Sequence, residues 1–441
     1  MLDLIRRLTP EPLLMAYHFT LAKVSAFLYR HPSNDLRVIG ITGTNGKSST
    51  TQLTAQLLEH LGEKVGYTTT AGFSIAGKKI ENKMKMTMPG RFYLQRIMRR
   101  MVDEGCSYAI IETSSEGLRQ YRHVGINYDA AVFTNLTPEH LERHGGFQAY
   151  KKAKGRLFSH LMKRRHKVLK GKEIAKVSVV NGDDQHAPYF YSFPADRAIE
   201  YSWEKEHGPD RLIVKVISQN KKGIKVKVND VAMTIPLRAD FQQKNAITAI
   251  ATLFAFGIEL EVIAKVVDQL VPIPGRFEPV DLGQPFDVIV DYAYEPYALA
   301  ALYTSVRALN PKRIIGLHGA AGGGRDAWKR PAIGALAAKE NNISIITNED
   351  PYEEDPKAII KAVAKGAKDE GAKEGRDLFL IDDRAEAIDF AIGKAKKGDV
   401  VLLTAKGSEL VMAVAGGKVP WSDRQAAVDA LKKRGYGKTG R

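Results

Sequence analysis

Hydrophobic positions follow two different periods along this chain. Leu14, Tyr17, Leu21, Val24 and Leu28 recur at spacings of three and four, which predicts one face of a helix. Phe19, Ala22 and Phe27 make much of the other face apolar, while His18 and Lys23 interrupt it. The run is short for a membrane span. Such a helix can pack on the next domain, lie on a membrane surface or meet a partner protein, including a second copy. Pro32-Ser33-Asn34-Asp35 ends it. From residue 37 to about 272, strand-like runs such as Tyr108-Ala109-Ile110-Ile111 alternate with helix-like ones, as expected of a mostly parallel sheet covered on both faces. Between 178 and 236 the period falls to two, as in Ile213-Val214-Lys215-Val216 and Ile224-Lys225-Val226-Lys227-Val228, which predicts half-exposed strands. Residues 273–441 repeat the strand–helix alternation as a second α/β unit. Three segments result: 1–36, 37–272 and 273–441.

Composition narrows the picture. The chain of 441 residues is long enough for two or three full cores. Its one cysteine, Cys106, rules out an intrachain disulfide and a cysteine metal cluster. No cleavable signal sequence is evident, so a cytoplasmic location is expected. The net charge of +16 suits anionic ligands. Lys and Arg are spread along the chain without aromatic interleaving, so no nucleic-acid partner is expected.

The organising stretch is Val38-Ile39-Gly40-Ile41-Thr42-Gly43-Thr44-Asn45-Gly46-Lys47-Ser48-Ser49-Thr50, followed by a helix-like run from Thr51 to Leu61. A strand, a glycine loop and a helix start together suit a polyphosphate. The backbone approaches the anion closely, and free N–H groups and the helix dipole face it. Lys47 adds a point charge, and the Ser48 hydroxyl suits Mg²⁺. Gly43, Thr44, Asn45, Gly46, Lys47, Ser48 and Ser49 are therefore the nucleotide-binding candidates.

This T-G-T-N-G-K-S variant resembles the loop of the Mur ligases, ATP-dependent enzymes of cell-wall peptide assembly, and the resemblance runs from about residue 37 to about 430. Met86-Thr87-Met88-Pro89 is similar to the family's T-T-P element, with Met88 at the second hydroxyl position, and marks Thr87 as a substrate contact. Glu112-Thr113-Ser114-Ser115 is similar to E-x-S-S, which implies Glu112 as a Mg²⁺ ligand and Ser115 as a substrate contact; Glu116 stands where the family often has His. Thr134-Asn135-Leu136 with His140, and Tyr150, Ala153, Lys154, Leu157 and Phe158, keep the spacing of T-N-L-x-x-x-H-L … Y-x-x-A-K-x-x-L-F. The resemblance implies His140 as a ligand of a second Mg²⁺ and Lys154 as a lysine carbamylated by CO₂. Phe241 to Asn245 is similar to F-N-x-x-N, where Asn245 is either an adenine contact or a helix N-cap.

In the second unit, Pro274-Gly275-Arg276-Phe277-Glu278 resembles P-G-R-x-E, making Arg276 a phosphate contact near a closing hinge. Val288 to Ala293 resembles V-x-D-Y-A, so Asp291 faces the nucleotide, and Tyr294 replaces the usual His. Gly322 to Pro331 resembles G-G-D-R-D-x-G-K-R-P, with Arg325 as anchor for the α-carboxylate of the incoming amino acid. Asn348-Glu349-Asp350-Pro351-Tyr352 occupies the place of the selectivity element D-N-P-R. Tyr352 there replaces the arginine that grips diaminopimelate, while Asp350 and Glu409 favour an ammonium tip such as that of lysine.

The resemblance implies a P-loop-type, mostly parallel central sheet domain followed by a Rossmann-like α/β domain. It also implies ATP, two Mg²⁺ ions and carbamylated Lys154 as cofactors. The catalytic set is Lys47, Glu112, His140 and Lys154; the metal set is Ser48, Glu112, His140 and Lys154. The expected reaction activates a carboxylate, here of a muramoyl peptide, as an acyl phosphate and joins it to an amino acid. Only about 36 residues precede the loop, too few for the domain with which typical members grip a UDP-sugar. Two alternatives follow. One is a ligase resembling folylpolyglutamate synthetase, which shares the G-T-N-G-K loop. The other is a non-catalytic relative attached to a membrane through residues 1–36.

Overall fold

The computed structural model describes residues 10–82, 86–138, 144–203, 211–324 and 327–437. The chain divides into two compact units, Met1–Leu237 with Gln242–Val271, and Arg238–Phe241 with Pro272–Arg441.

The first unit is built on an eleven-stranded sheet. Its strands are β1 (Arg37–Thr42), β2 (Val65–Thr68), β3 (Phe73–Ile75), β4 (Lys78–Ile80), β5 (Tyr108–Glu112) and β6 (Ala130–Phe133). A small hairpin of β7 (Lys167–Leu169) and β8 (Lys172–Ile174) stands apart. Then β9 (Val177–Asn181), β10 (Arg197–Ser202), β11 (Arg211–Asn220), β12 (Gly223–Val228) and β13 (Val231–Ile235) complete the sheet. The order is β13-β12-β11-β10-β9-β6-β1-β5-β2-β3-β4. Pairing is parallel from β11 through to β2 and antiparallel at both edges. The central strands read as unbroken apolar runs because helices cover both faces, leaving β1, β5 and β6 buried almost throughout. Period-two exposure appears at the β12–β13 edge, as in Gly223–Val228, whereas β9 and β10, also expected to be half-exposed, are mostly buried between their parallel neighbours.

The N-terminal helix, Glu11–Leu28, packs on this unit, but not through the predicted face. It buries His18, Ala22, Ser25 and Ala26, while Tyr17, Val24 and Leu28 are exposed and Leu14 and Leu21 half-buried. Its small residues permit close approach, and that decides the contact face over apolarity. Glu11 pairs with Arg119 (3.2 Å), and Phe19 meets Tyr121 edge-on. Past the helix, Lys167 Nζ donates to the carbonyls of Ser33 (2.8 Å) and Leu36 (2.6 Å). Lys167 and Lys176 both pair with the fully buried Asp129, whose Oδ2 also accepts from Val38 N. Residues just before β1 are thereby fastened to the foot of the sheet. No described helix is long and apolar enough to cross a membrane.

The second unit is a six-stranded sheet of β14 (Glu278–Pro279), β15 (Asp287–Val290), β16 (Ile314–His318), β17 (Ile343–Thr347), β18 (Leu378–Ile381) and β19 (Val400–Leu403), with a separate hairpin of β20 (Val411–Val414) and β21 (Gly417–Pro420). The order is β14-β15-β19-β16-β17-β18, parallel except for β14. Separate cores pack on its two faces. One includes Leu302, Tyr303, Ile333 and Val363, the other Ile388, Ile392, Val428 and Leu431.

Candidate active site

In each unit the candidate residues collect beyond the carboxyl ends of the parallel strands, where open α/β sheets hold ligands. Helix Lys47–His60 ends one residue short of the run predicted from Thr51 and begins four residues before it, where Gly46 caps it in the left-handed conformation (φ +82°). A Cβ at Gly46 would stand 2.3 Å from Asn245 Oδ1. Glycine is thus required both for the turn and for this approach. The helix has no side-chain cap and no acid in its first turn, so its amide groups remain available to an anion.

The loop is held open by the neighbouring strand end. Thr44 N donates to Asn135 O (2.8 Å), Asn45 N to Asn135 Oδ1 (2.9 Å), and Thr134 Oγ1 to Asn45 O (2.7 Å). Lys47 Nζ donates to the carbonyls of Gly43 (3.0 Å) and Thr44 (2.7 Å). Lys154, buried, sends its ammonium to the same Gly43 carbonyl at 2.6 Å and lies 4.5 Å from the Tyr150 ring centroid. Two ammonium groups therefore share one carbonyl oxygen beside the phosphate loop.

Glu112 ends β5, in register with Ile41 of β1. Its carboxylate is buried and accepts from Ser48 Oγ (2.7 Å), Thr70 N (2.8 Å) and Thr70 Oγ1 (3.1 Å). The Thr70 hydroxyl is also hydrogen-bonded to Thr87 Oγ1 (2.8 Å). Ser48, Glu112 and Thr87 thus form one connected oxygen cluster. A hydroxyl and a carboxylate at the mouth of a phosphate loop are the hard oxygen donors Mg²⁺ prefers, so the residues fit that ion. His140 and Arg325 lie outside the described residues.

Asn245 is not a helix N-cap. Its helix starts at Asp240, which puts Asn245 in the second turn with Oδ1 directed at Gly46 and 3.4 Å from Thr50 Oγ1.

In the second unit Asp291 is buried at the end of β15. Both its oxygens are taken by backbone, Phe277 N on Oδ2 and Ala293 N on Oδ1, each at 2.7 Å. Burial pushes its carboxyl group upward, against the pull of Arg276. Asp291 therefore fixes the turn that carries Arg276, whose guanidinium lies 4.4 Å from the Tyr292 ring centroid. Tyr292 in turn meets Tyr294 edge-on at 5.3 Å.

Asp350 and Glu409 each give one carboxylate oxygen to an ammonium of the chain itself. Lys406 Nζ, fully buried, donates to Asp350 Oδ1 (2.8 Å), Glu409 Oε2 (2.6 Å) and Val411 O (2.9 Å), and Ala413 N also binds Asp350 Oδ1. Lys406 offsets part of the negative charge on which the expected preference for lysine rests. Tyr352 sits beside them with a left-handed backbone (φ +52°) and its N–H on Ala413 O.

Several residues at these strand ends carry no sequence signal strong enough to single them out. Glu349 is buried, and burial, reinforced by Asp350, raises its carboxyl to about 7; its Oε2 finds no hydrogen-bond partner among the described residues. Arg384 forms a fully buried bidentate pair with Asp423 (2.7 and 2.6 Å) and braces Thr404 O and Asn348 O. Near Thr87, Arg122 holds the Met88 carbonyl, and Arg91 Nη2 donates to Gln120 O at 2.6 Å.

A phosphate loop on a mostly parallel sheet, an oxygen cluster beside it and a second α/β unit with its own strand-end cluster define a nucleotide-binding protein of the α/β class. Comparison with known proteins agrees. Residues 41–253 match the Mur ligase middle domain and residues 275–407 the Mur ligase, glutamate ligase domain. The chain is 36% identical over 423 residues to UDP-N-acetylmuramyl-tripeptide synthetase of Roseiflexus sp. (strain RS-1), covering 95% of this chain and 82% of that protein. It is 35% identical over 411 residues to UDP-N-acetylmuramoyl-L-alanyl-D-glutamate--2,6-diaminopimelate ligase of Geobacillus kaustophilus (92% and 81% covered). A solved structure of a ligase with the latter description superposes with a TM-score of 0.62 at 27% identity, covering 91% of this chain and 79% of that one. The Mycobacterium tuberculosis folylpolyglutamate synthase complexed with ADP and AMPPCP gives 0.67 at 18% identity (96% of each chain), a likeness of fold. The chain belongs to the Mur ligase family, the ATP-dependent, ADP-forming amide ligases of peptidoglycan precursor synthesis. ATP and Mg²⁺ are typical of that family.

Proposed function

We propose that this chain adds an amino acid to UDP-N-acetylmuramoyl-L-alanyl-D-glutamate, the acceptor named for the Geobacillus relative. The observation that carries the reading is the convergence of Lys47, Lys154 and the Ser48–Glu112 pair on one loop. The acceptor carboxylate attacks the γ-phosphorus of ATP, giving an acyl phosphate and ADP. The amino group of the incoming amino acid then displaces phosphate and forms the amide.

Phosphoryl transfer of this kind depends on positioning and charge neutralisation. Lys47 exchanges its two loop carbonyls for phosphate oxygens. Arg276 contacts phosphate with its guanidinium, Asn245 the adenine, and Asp291 holds the Arg276 turn. Thr87 and Ser115 orient the acceptor, and Arg325 anchors the amino acid's carboxylate. Ser48 and Glu112 would hold one Mg²⁺, and Glu112, His140 and carbamylated Lys154 a second; when bound, these ions neutralise phosphate charge. Carbamylation has a local rationale. Lys154 is a buried cation sharing a carbonyl with Lys47, and reaction with CO₂ converts it from a like charge to an opposite one.

The test is phosphate release with ATP and Mg²⁺ over a matrix of acceptors and amino acids. The acceptors are the UDP-muramoyl dipeptide, the free dipeptide and a folate; the amino acids are diaminopimelate, lysine, ornithine and glutamate. Turnover with the UDP-muramoyl dipeptide is the expected result. Turnover confined to folate and glutamate would refute the assignment.

A further inference from the structure

Two serines follow Glu112, and the fold gives them different partners. Ser114 caps the short helix Ser115–Arg119, its Oγ accepting from Gly117 N at 3.1 Å. The Ser115 hydroxyl is left for another partner. It is buried and lies 3.1 Å from His144 Nε2. His144 stands just before Gly145 and Gly146, whose positive φ angles (+73° and +113°) are unfavourable for any residue with a Cβ. That reversal leads into helix Phe147–Leu161 and lays the imidazole against the Tyr150 ring, with centroids 5.2 Å apart and planes 60° apart. The Tyr150 hydroxyl reaches Thr44 Oγ1 at 3.2 Å, and the Lys154 ammonium lies against the same ring. His144 is therefore one contact from Ser115 and one aromatic ring from both the phosphate loop and Lys154.

We propose that His144 is a positioning residue for the acceptor's carboxylate, acting through Ser115; this rests on the assignment of Ser115 to the acceptor. A serine hydroxyl has one proton to give. If imidazole Nε2 accepts that proton, Ser115 turns only lone pairs toward the carboxylate, which has no proton to offer. If Nε2–H donates to Ser115 Oγ, the serine O–H is free to donate to the carboxylate. Only the second arrangement forms a chain of donors ending on the anion. The Tyr150 ring packs against the imidazole while Nε2 meets the serine. The tie from Tyr150 to Thr44 joins this acceptor contact to the nucleotide loop.

Kinetics on the full chain with UDP-N-acetylmuramoyl-L-alanyl-D-glutamate test the proposal. His144→Ala raises the KM for the acceptor about tenfold, the size of one hydrogen bond to a charged group. The KM for ATP stays constant, and His144→Gln, which keeps an N–H donor, recovers part of the loss. Ser115→Ala raises the acceptor KM by a similar factor, and the double variant is no worse than Ser115→Ala alone. Effects that multiply, or that fall on the KM for ATP, overturn the proposal. Nitrogen-15 NMR of histidine-labelled free protein gives an independent decision. The expected spectrum has His144 protonated at Nε2, with a resonance that moves in Ser115→Ala. A bare Nε2 overturns the proposal even in a protein that does not turn over this acceptor, whereas loss of turnover in the unaltered protein bears on the acceptor alone.

Discussion

Ser48 Oγ donates to Glu112 Oε2 at 2.7 Å, joining the first turn of the helix after the phosphate loop to the end of the adjacent parallel strand. The two residues are far apart in sequence, and parallel pairing of β1 with β5 brings them together. Glu112→Gln keeps the shape and removes the charge. It is expected to lower kcat/KM by roughly 10²–10³, with an unchanged circular dichroism spectrum. Phosphate-release assays over a Mg²⁺ series check this, and full activity in the variant would remove Glu112 from the metal set.

Lys154 leads to a second expectation. Carbamylation requires the neutral amine and CO₂, so activity should rise with added bicarbonate and fall in degassed buffer. Lys154→Ala should lose roughly 10²-fold or more, with partial recovery by a short carboxylic acid that refills the anionic position. Carbon-13 bicarbonate labelling of the protein, read by NMR, detects the carbamate directly.

Stability should weaken in acid through two histidines. His160 is buried with Nε2 on Ile126 O (3.0 Å), and burial holds its imidazole down at about 4. His123, stacked edge-on against it, is lowered well below the ordinary value by burial and then by His160. Both are depressed in the folded state, so the unfolded chain binds more protons below about pH 6.5. Their contribution is full above that pH and is lost as pH falls toward 4. For His160 alone the loss is on the order of 3 kcal/mol. Urea titrations from pH 7 to 4.5 measure it, and His160→Asn should flatten the slope.

The buried Arg384–Asp423 pair should be costly to break and cheaper to replace. Arg384→Ala leaves Asp423 buried without its guanidinium and should destabilise the fold by about 3–5 kcal/mol. Arg384→Met with Asp423→Leu should recover much of that. Chemical denaturation of the single and double variants decides it.

How much of this was legible in the sequence depends on distance along the chain. The phosphate loop, Glu112 at a strand end and Asp291 after Val288-Ile289-Val290 are local patterns, and they lie where the strand readings put them. The contact face of helix Glu11–Leu28 was not legible from its period. Periodicity reports apolar side chains, whereas contact was decided by the small residues Ala22, Ser25 and Ala26. The N-cap reading of Asn245 failed because its helix starts five residues earlier, at Asp240. The ammonium-tip argument for Asp350 and Glu409 left out Lys406, which in Ala405-Lys406-Gly407-Ser408-Glu409 reads as an ordinary lysine until folding directs it at both carboxylates. His144 was passed over because a lone histidine before two glycines carries no chemical signature without Ser115 beside it.

Lys406 gives the second unit a resident ammonium. Its single positive charge is set against two carboxylates and is bound to one oxygen of each, so the cluster keeps a negative balance. The buried amine therefore acts as a brace, holding the strand-end loop of Asp350 and the loop of Glu409 at a fixed separation through one nitrogen.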